Sequence, residues 1–247
     1  MWRVIADYHT HTVYSHGEGT IMENARAALD QGLEVLGIAD HGPANWGHIA
    51  TTDLQTFDKI MAEARQVQAE LSGLTILAGA EANLISYDGD LDIPPELQKR
   101  LDQVLAGFHV TIRPKTLGDG VKFAAQWTLG KLSAREHRKA RNDNTKAMVE
   151  AVYKNKIDII THPGLNISID TSELARACVK RDTALEINAK HGVKSIEFIR
   201  AAAKEGARFA IGSDAHQPDK VGRLEPGLRA ARAAGLHPDQ IINVRDE

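Results

Sequence analysis

Short apolar runs recur along the chain at Arg3–Asp7, Val35–Ala39, Leu74–Ala80, Val104–Gly107, Ile157–Thr161, Ala184–Ile187 and Arg208–Ile211. Several are apolar without interruption, the pattern of strands covered on both faces of a sheet. Between them the apolar spacing changes to a helical period. Thr20 followed by Glu23 fits a capping box for a helix through Gln31. Asp53 is placed to cap a long helix through Leu71, and Pro95 suits a first-turn position. Thr171 or Ser172 begins another helix, and Val193–Glu205 is a further one closed by Gly206. Strands alternating with helices predict βαβ units on a parallel sheet. Seven such repeats predict an α/β fold of one domain, a distorted (β/α)7 TIM-like barrel, with an open doubly wound sheet as its competitor.

Two intervals depart from this rhythm. Ile85–Ile93 carries Asp88-Gly89 between short alternating runs and predicts a hairpin. The interval between His109 and His162 is long and basic. Up to residue 141 it holds Arg113, Lys115, Lys122, Lys131, Arg135, Arg138, Lys139 and Arg141 against Asp119 and Glu136. Ala134–Asn155 has a helical period, whereas Thr111–Leu132, with Gly118, Gly120 and Gly130, reads as a long loop. A basic lid-like insertion at about 111–140 is one reading, and a solvated basic loop is the other.

Composition narrows the setting. A chain of 247 residues, 43% hydrophobic, suits one large domain with a sizeable core. A net charge of -3 gives no global attraction to nucleic acid or to anionic membranes. The single cysteine, Cys178, excludes an intramolecular disulfide and a thiolate finger site, and reads as a packed apolar residue. No apolar stretch approaches the ~18 residues of a spanning helix, and Met1 leads straight into the first run without a leader pattern. A soluble, cytoplasmic protein with no membrane partner is the expectation.

What changes the picture is where the chemistry falls. Six of the seven apolar runs are followed at once by imidazoles or carboxylates: His9, His11 and His16; His41; Glu81; His109; His162; Asp214 and His216. A doubly wound sheet would gather ligands mainly at one switch point, whereas a closed barrel brings every strand end to one mouth. His9 and His11 are two residues apart, the strand period, so both rings project to one side, and Asp214 and His216 repeat that spacing. A single such pair is weak; the set points to metal or catalysis. Seven imidazoles and two carboxylates suit zinc, manganese or iron rather than magnesium or calcium. Nine donors exceed the roughly three protein ligands of one catalytic ion, so three divalent ions, zinc foremost, are the natural division, with Glu81 as candidate bridge. Such a site is cationic, holds a hydroxide at neutral pH and prefers an anionic substrate. Metal-assisted hydrolysis of a phosphate ester meets both conditions.

Further residues are candidate substrate contacts. Asn188 ends the sixth run, and His191 follows it near the mouth. Arg223 could clamp a phosphate oxygen or form a surface salt bridge. Arg138 and Arg141 are the insertion's candidates for an anionic substrate. His48, His137 and His237 read as surface residues.

The segments D-Y-H-T-H-T, I-A-D-H-G-P, G-A-E-A-N, A-G-F-H, I-I-T-H-P-G, L-E-I-N and G-S-D-A-H run nearly end to end. Together they resemble the PHP (polymerase and histidinol phosphatase) superfamily, in particular its stand-alone YcdX-type phosphatases. The resemblance implies a distorted (β/α)7 barrel with a trinuclear site, commonly of zinc, manganese or iron. It implies that His9, His11, Glu81 and Asp214 bind one ion, Glu81 with His109 and His162 a second, and His16, His41 and His216 a third. All nine residue types are present, which implies an active enzyme. The basic stretch Thr111–Ala140 is much longer than in the YcdX type. A phosphomonoesterase acting on a small phosphorylated metabolite or nucleotide is therefore expected. A phosphodiesterase or nuclease and a histidinol phosphatase are the near alternatives. An amidohydrolase-type C–N hydrolase would carry a bridging lysine in mid-barrel, where Glu81 and His109 stand. A non-catalytic metal-binding module would have lost ligands.

Overall fold

A computed structural model of the protein describes residues 2–129, 133–165, 167–190 and 196–247. Strand β1 (Trp2–Val4) pairs antiparallel with β9 (Val244–Asp246). The other seven, β2 (Ala6–Thr10), β3 (Val35–His41), β4 (Thr75–Asn83), β5 (Gln103–Gly107), β6 (Ile159–Ile160), β7 (Ala184–Asn188) and β8 (Phe209–Gly212), lie side by side in sequence order, all parallel.

The first and last of these seven meet, so the sheet comes close to closing as a distorted TIM-like barrel. At the upper end of the seam Thr10 bridges to Ala215, with His11 N donating to Ala215 O at 2.8 Å. At the lower end the wholly buried Asn243 joins the strands. Its amide donates to Ala6 O at 2.7 Å and Ile211 O at 2.8 Å, and its oxygen accepts from Ile211 N at 3.0 Å. Pairing of β1 with β9 delivers Asn243 to that seam. The predicted first run, Arg3–Asp7, is thus split: its start belongs to the two-stranded sheet and the barrel strand begins at Ala6.

Helices cover the outside. Thr20 caps α1 (Ile21–Asp30) as expected, its hydroxyl accepting from Glu23 N while its own N–H donates to the Glu23 carboxylate. Asp53 accepts from Thr56 N at 3.0 Å, but α2 (Thr56–Glu70) starts only there. Pro95 opens α3 (Pro95–Gln98). The long basic interval contains α4 (Leu117–Leu129) and α5 (Ala134–Lys154), so its first half is largely helical rather than a loop. Gly118 and Gly120 fall in the first turn of α4, where Thr116 caps the chain by accepting from Asp119 N at 3.1 Å. The interior, from Val121 on, is made of residues that tolerate a helix. Next come α6 (Thr171–Arg181), capped by Asp170, then α7 (Ile196–Lys204) and α8 (Glu225–Ala234). In the expected hairpin, Leu84 bridges to Leu91 around a turn with Gly89 at φ 78, an isolated bridge rather than paired strands. No described helix is long and apolar enough to cross a membrane.

Two apolar layers result. Outward strand residues such as Ile38, Leu185, Phe209 and Ile211 pack with the helices. Inside the barrel a smaller cluster of Ala39, Leu105, Ile159, Ala184 and Ala210, with Tyr8 against it, fills the lower part. This inner layer is the floor of the site.

Candidate metal centre

On several strands the residue two positions beyond the floor carries chemistry, because the side-chain period of a strand is two. His41 follows Ala39, Thr161 follows Ile159, and Glu186 and then Asn188 follow Ala184. In the sheet register His41, Glu81 and Leu105 are lateral neighbours on β3, β4 and β5. His9 and His11 need one thing more. Tyr8 packs against the floor, so strict alternation would turn His9 away. The β2–β3 register slips between Asp7 and Thr10, where one extra residue restores the inward aim.

Glu81, wholly buried, stands at the middle. Its Oε1 lies 3.0 Å from His162 Nε2 and 3.3 Å from His109 Nε2, and accepts from Thr161 Oγ1 at 2.7 Å. Its Oε2 lies 3.0 Å from His41 Nδ1, 3.4 Å from His9 Nε2 and 3.7 Å from His11 Nε2. One carboxylate thus faces two groups of imidazoles. Asp214 Oδ1 lies 3.5 Å from His11 Nε2, 3.9 Å from His9 Nε2 and 3.6 Å from His216 Nδ1. The His16 ring packs 4.1 Å from that of His216 and 4.9 Å from that of His41. All nine predicted ligands therefore lie together. Within 4.8 Å, donor atoms converge in three sets: His9 with His11 and Asp214, His41 with Glu81 and His109, and His11 with His41 and His216. His11 and His41 each stand in two of these sets and His16 and His162 in none, so they coincide only in part with the division the resemblance implies.

The electrostatics suit cations. Burial pushes the His11 imidazole well below its usual pKa, and neighbouring imidazoles lower it further although Asp214 opposes them. Burial, then His216 and His41, lowers His16 to about 4. His41 and His216 are lowered by burial too. Neutral imidazole is the form that ligates metal. Burial alone would raise Glu81 and Asp214, yet facing imidazoles hold both well below the usual carboxylate range. Burial pulls His9 down, but Glu186 and then Glu81 outweigh it and hold it well above the ordinary value. The fit to metal rests on unpartnered polar atoms: His11 Nδ1, His16 Nδ1, His41 Nδ1 and Glu81 Oε2 are buried without a hydrogen bond. An unpaired buried group costs about 1–3 kcal/mol, and four in one cluster of imidazoles and a carboxylate fit bound cations. The Nε2 atoms of His9 and His11, 3.1 Å apart, repeat the point.

Outer residues aim the inner ones. Glu186 Oε1 contacts His9 Nδ1 at 2.7 Å, and its Oε2 accepts from His162 N at 2.6 Å. Asn83 Oδ1 contacts His109 Nδ1 at 2.7 Å, and Asn83 donates to Asp92. Asp40 accepts from Thr12 and Ser15, fixing the turn that carries His16. His162 and Asp214 have positive φ, 28° and 53°. Among described non-glycine residues only Asp182 shares that backbone, which concentrates strain at the cluster. Gly212 has no room for a Cβ, which would run into Glu186. Glu186, Asn83 and Asp40 were not singled out from the sequence. The signal for Glu186 was present: an acid two residues before Asn188 within an apolar strand, on the same face.

The other candidates divide. Asn188 Nδ2 donates to Glu186 and to Asp214 Oδ2, each at 3.2 Å, within the cluster. Arg223 is exposed and bonded to Asp219. Arg141 lies 3.7 Å from Asp170, and Arg138 is exposed on α5. His191 lies outside the described residues.

The profile of the PHP domain matches residues 7–220. Probable phosphatases of Acetivibrio thermocellus and of Thermoanaerobacter sp. (strain X514) are 33% and 32% identical to the chain over 255 and 252 residues. The alignments cover 99% and 98% of this chain, and 93% and 91% of those proteins. A solved histidinol phosphate phosphatase of Lactococcus lactis, complexed with zinc, L-histidinol and phosphate, superposes with a TM-score of 0.64. The match covers 94% of each chain at 18% identity, a likeness of fold.

Proposed function

The chain belongs to the PHP domain family, and from that premise we propose that it is a metal-dependent phosphatase that hydrolyses phosphomonoesters at a trinuclear centre. The observation that carries this reading is the Glu81 carboxylate, each of whose oxygens faces a different group of imidazoles. In this assignment His9, His11, Glu81 and Asp214 hold one ion, Glu81, His109 and His162 a second, and His16, His41 and His216 a third. Zinc is the first choice of ion, with manganese or iron accepted by the same donors; the zinc in the Lactococcus lactis structure supports that order. Bound divalent ions supply Lewis acidity, which acidifies water and neutralises phosphate oxygens.

The protein's own part is orientation. Glu186 accepts the His9 Nδ1 proton, which leaves Nε2 as the inward donor, and Asn83 does the same for His109. Asn188, bonded to Asp214, offers its amide at the rim of the centre. In the net reaction water adds to phosphorus, the ester P–O bond breaks, and the alcohol leaves with a proton. The substrate is a small phosphorylated molecule, a reading that the phosphate bound to the Lactococcus lactis protein supports.

Purified protein is expected to release p-nitrophenol from p-nitrophenyl phosphate but not from the bis ester, to lose activity in a chelator, and to regain it with zinc or manganese. Equal turnover of both esters would contradict the monoesterase assignment, and turnover of neither would contradict the phosphatase.

A further inference from the structure

Beside the centre lies a cavity of about 760 Å³ whose chemistry is opposite to that of its neighbour. His109 belongs to both: its Nε2 faces Glu81, and its ring forms part of the cavity wall. Most of the rest of the wall is apolar or aromatic, Trp46, Tyr87, Phe108, Ile112 and Phe123 foremost; Thr111, Gln126, His137, Asn144 and Ser168 are its polar members, and no lysine, arginine, aspartate or glutamate lines it among the described residues. Phe123, on α4, packs against Tyr87 at 4.7 Å and Phe108 at 5.5 Å between ring centroids. Three cations of the interval face elsewhere. Lys115 pairs with Asp90, Lys122 lies 3.9 Å over the Tyr87 ring, and Arg113 donates to Pro43 O and lines a separate polar cavity beyond Trp46. The insertion is also stitched to the barrel rather than free. Trp46 N donates to Thr111 O at 3.1 Å and Arg113 N to Ala44 O at 2.7 Å.

We infer that this cavity holds the leaving alcohol of the substrate, and that the alcohol is an uncharged apolar or aromatic body rather than a sugar, a nucleotide or a nucleic-acid chain. The inference rests on the phosphatase reading above. A phosphoryl group at the centre places its ester oxygen next to His109, and the carbon side of that bond has the aromatic cavity as its neighbour. Polyhydroxylated or polyanionic leaving groups would lose their water there against walls with few polar atoms to replace it. An aromatic ring would gain stacked and edge contacts with Phe108, Phe123 and Trp46.

The test compares 2-phenylethyl phosphate with glycerol 1-phosphate on the metal-loaded protein. Both are primary alkyl monoesters, so their leaving groups differ in binding far more than in basicity. The expected result is a kcat/KM about tenfold or more higher for the phenylethyl ester, carried mainly by KM, and a fall in that ratio in Phe123→Ala. Trp46→Ala, at an exposed residue of the same cavity, supplies a second reading if the first variant fails to fold. Equal kcat/KM for the two esters, or a ratio unchanged in both folded variants, overturns the cavity assignment while leaving the phosphatase standing. Turnover of neither ester overturns the phosphatase reading and this inference with it.

Discussion

The two walls of the barrel mouth are built on opposite principles. The wall formed by β2, β3, β4, β6, β7 and β8 buries imidazoles and carboxylates, whose outer supports Glu186, Asn83 and Asp40 are themselves hydrogen-bonded. The wall formed by α4, α5 and the segment from Phe108 to Pro114 is apolar, lined by rings, and borders a cavity wide enough for an organic molecule. The difference teaches a division of labour. The polar wall must hold charges within tenths of an ångström, which only a hydrogen-bonded strand framework achieves. The apolar wall need only match shape and exclude water, which two helices between β5 and β6 can do without disturbing the strands.

The largest effect is expected where the polar wall is broken at its middle. Glu81→Gln should drop turnover to background and deplete bound metal, measured by elemental analysis and phosphate release, while Phe123→Ala keeps its metal. Metal loss in Phe123→Ala would erase the contrast between the walls. Next is the outer support: Glu186→Gln should weaken metal affinity by about 10–100-fold. Gly212→Ala should resemble it, because the added Cβ meets the Glu186 carboxylate. Competition with a calibrated chelator reads both, and unaltered affinity would mean that His9 needs no orienting partner.

A smaller effect of another kind belongs to the barrel floor. Asn243→Ala orphans buried groups of Ala6 and Ile211 and should cost about 3 kcal/mol in urea unfolding, given about 1–3 kcal/mol for each unpaired group, with metal stoichiometry unchanged. Smaller again is the tie beneath the insertion. Burial opposes the shift, but Lys115, Lys154 and Ser86 hold the Asp90 carboxyl down at about 2. Its folded pKa is below its unfolded one, so its contribution is present above the unfolded value and is lost as pH falls from about 4 to 2. Asp90→Asn should therefore destabilise at pH 7 by up to about 1 kcal/mol, and by much less once the pH has fallen to about 2, where half of the ionised form is gone. A loss at pH 2 as large as that at pH 7 would assign the effect to packing. The smallest change is expected at Arg138, exposed on α5: Arg138→Ala should move KM by no more than about twofold, since exposed charge is screened.

Much of the polar wall was legible in the chain because two simple periods produce it. Apolar strand followed by ligand marked six strand ends, and the two-residue spacing of His9 with His11 correctly put both rings on one face. The slip that turns them inward was not legible, since a one-residue irregularity leaves no compositional trace. Nor was the role of β1 and β9, whose three-residue strands lie at opposite ends of the chain. On the apolar wall, Gly118 and Gly120 masked α4: glycine argues against a helix only in its interior, and here both lie in the first turn. The basic character of that interval suggested a surface for anions, but sequence cannot say which way a lysine points, and Lys115 and Lys122 turn to Asp90 and the Tyr87 ring.

The most direct test counts the metal. Protein reconstituted with zinc, freed of loose ions and measured by inductively coupled plasma mass spectrometry is predicted to hold about three equivalents per chain, as expected when nine donors are shared at about three per ion. One equivalent or none, in folded protein, would contradict the trinuclear centre on which the account depends.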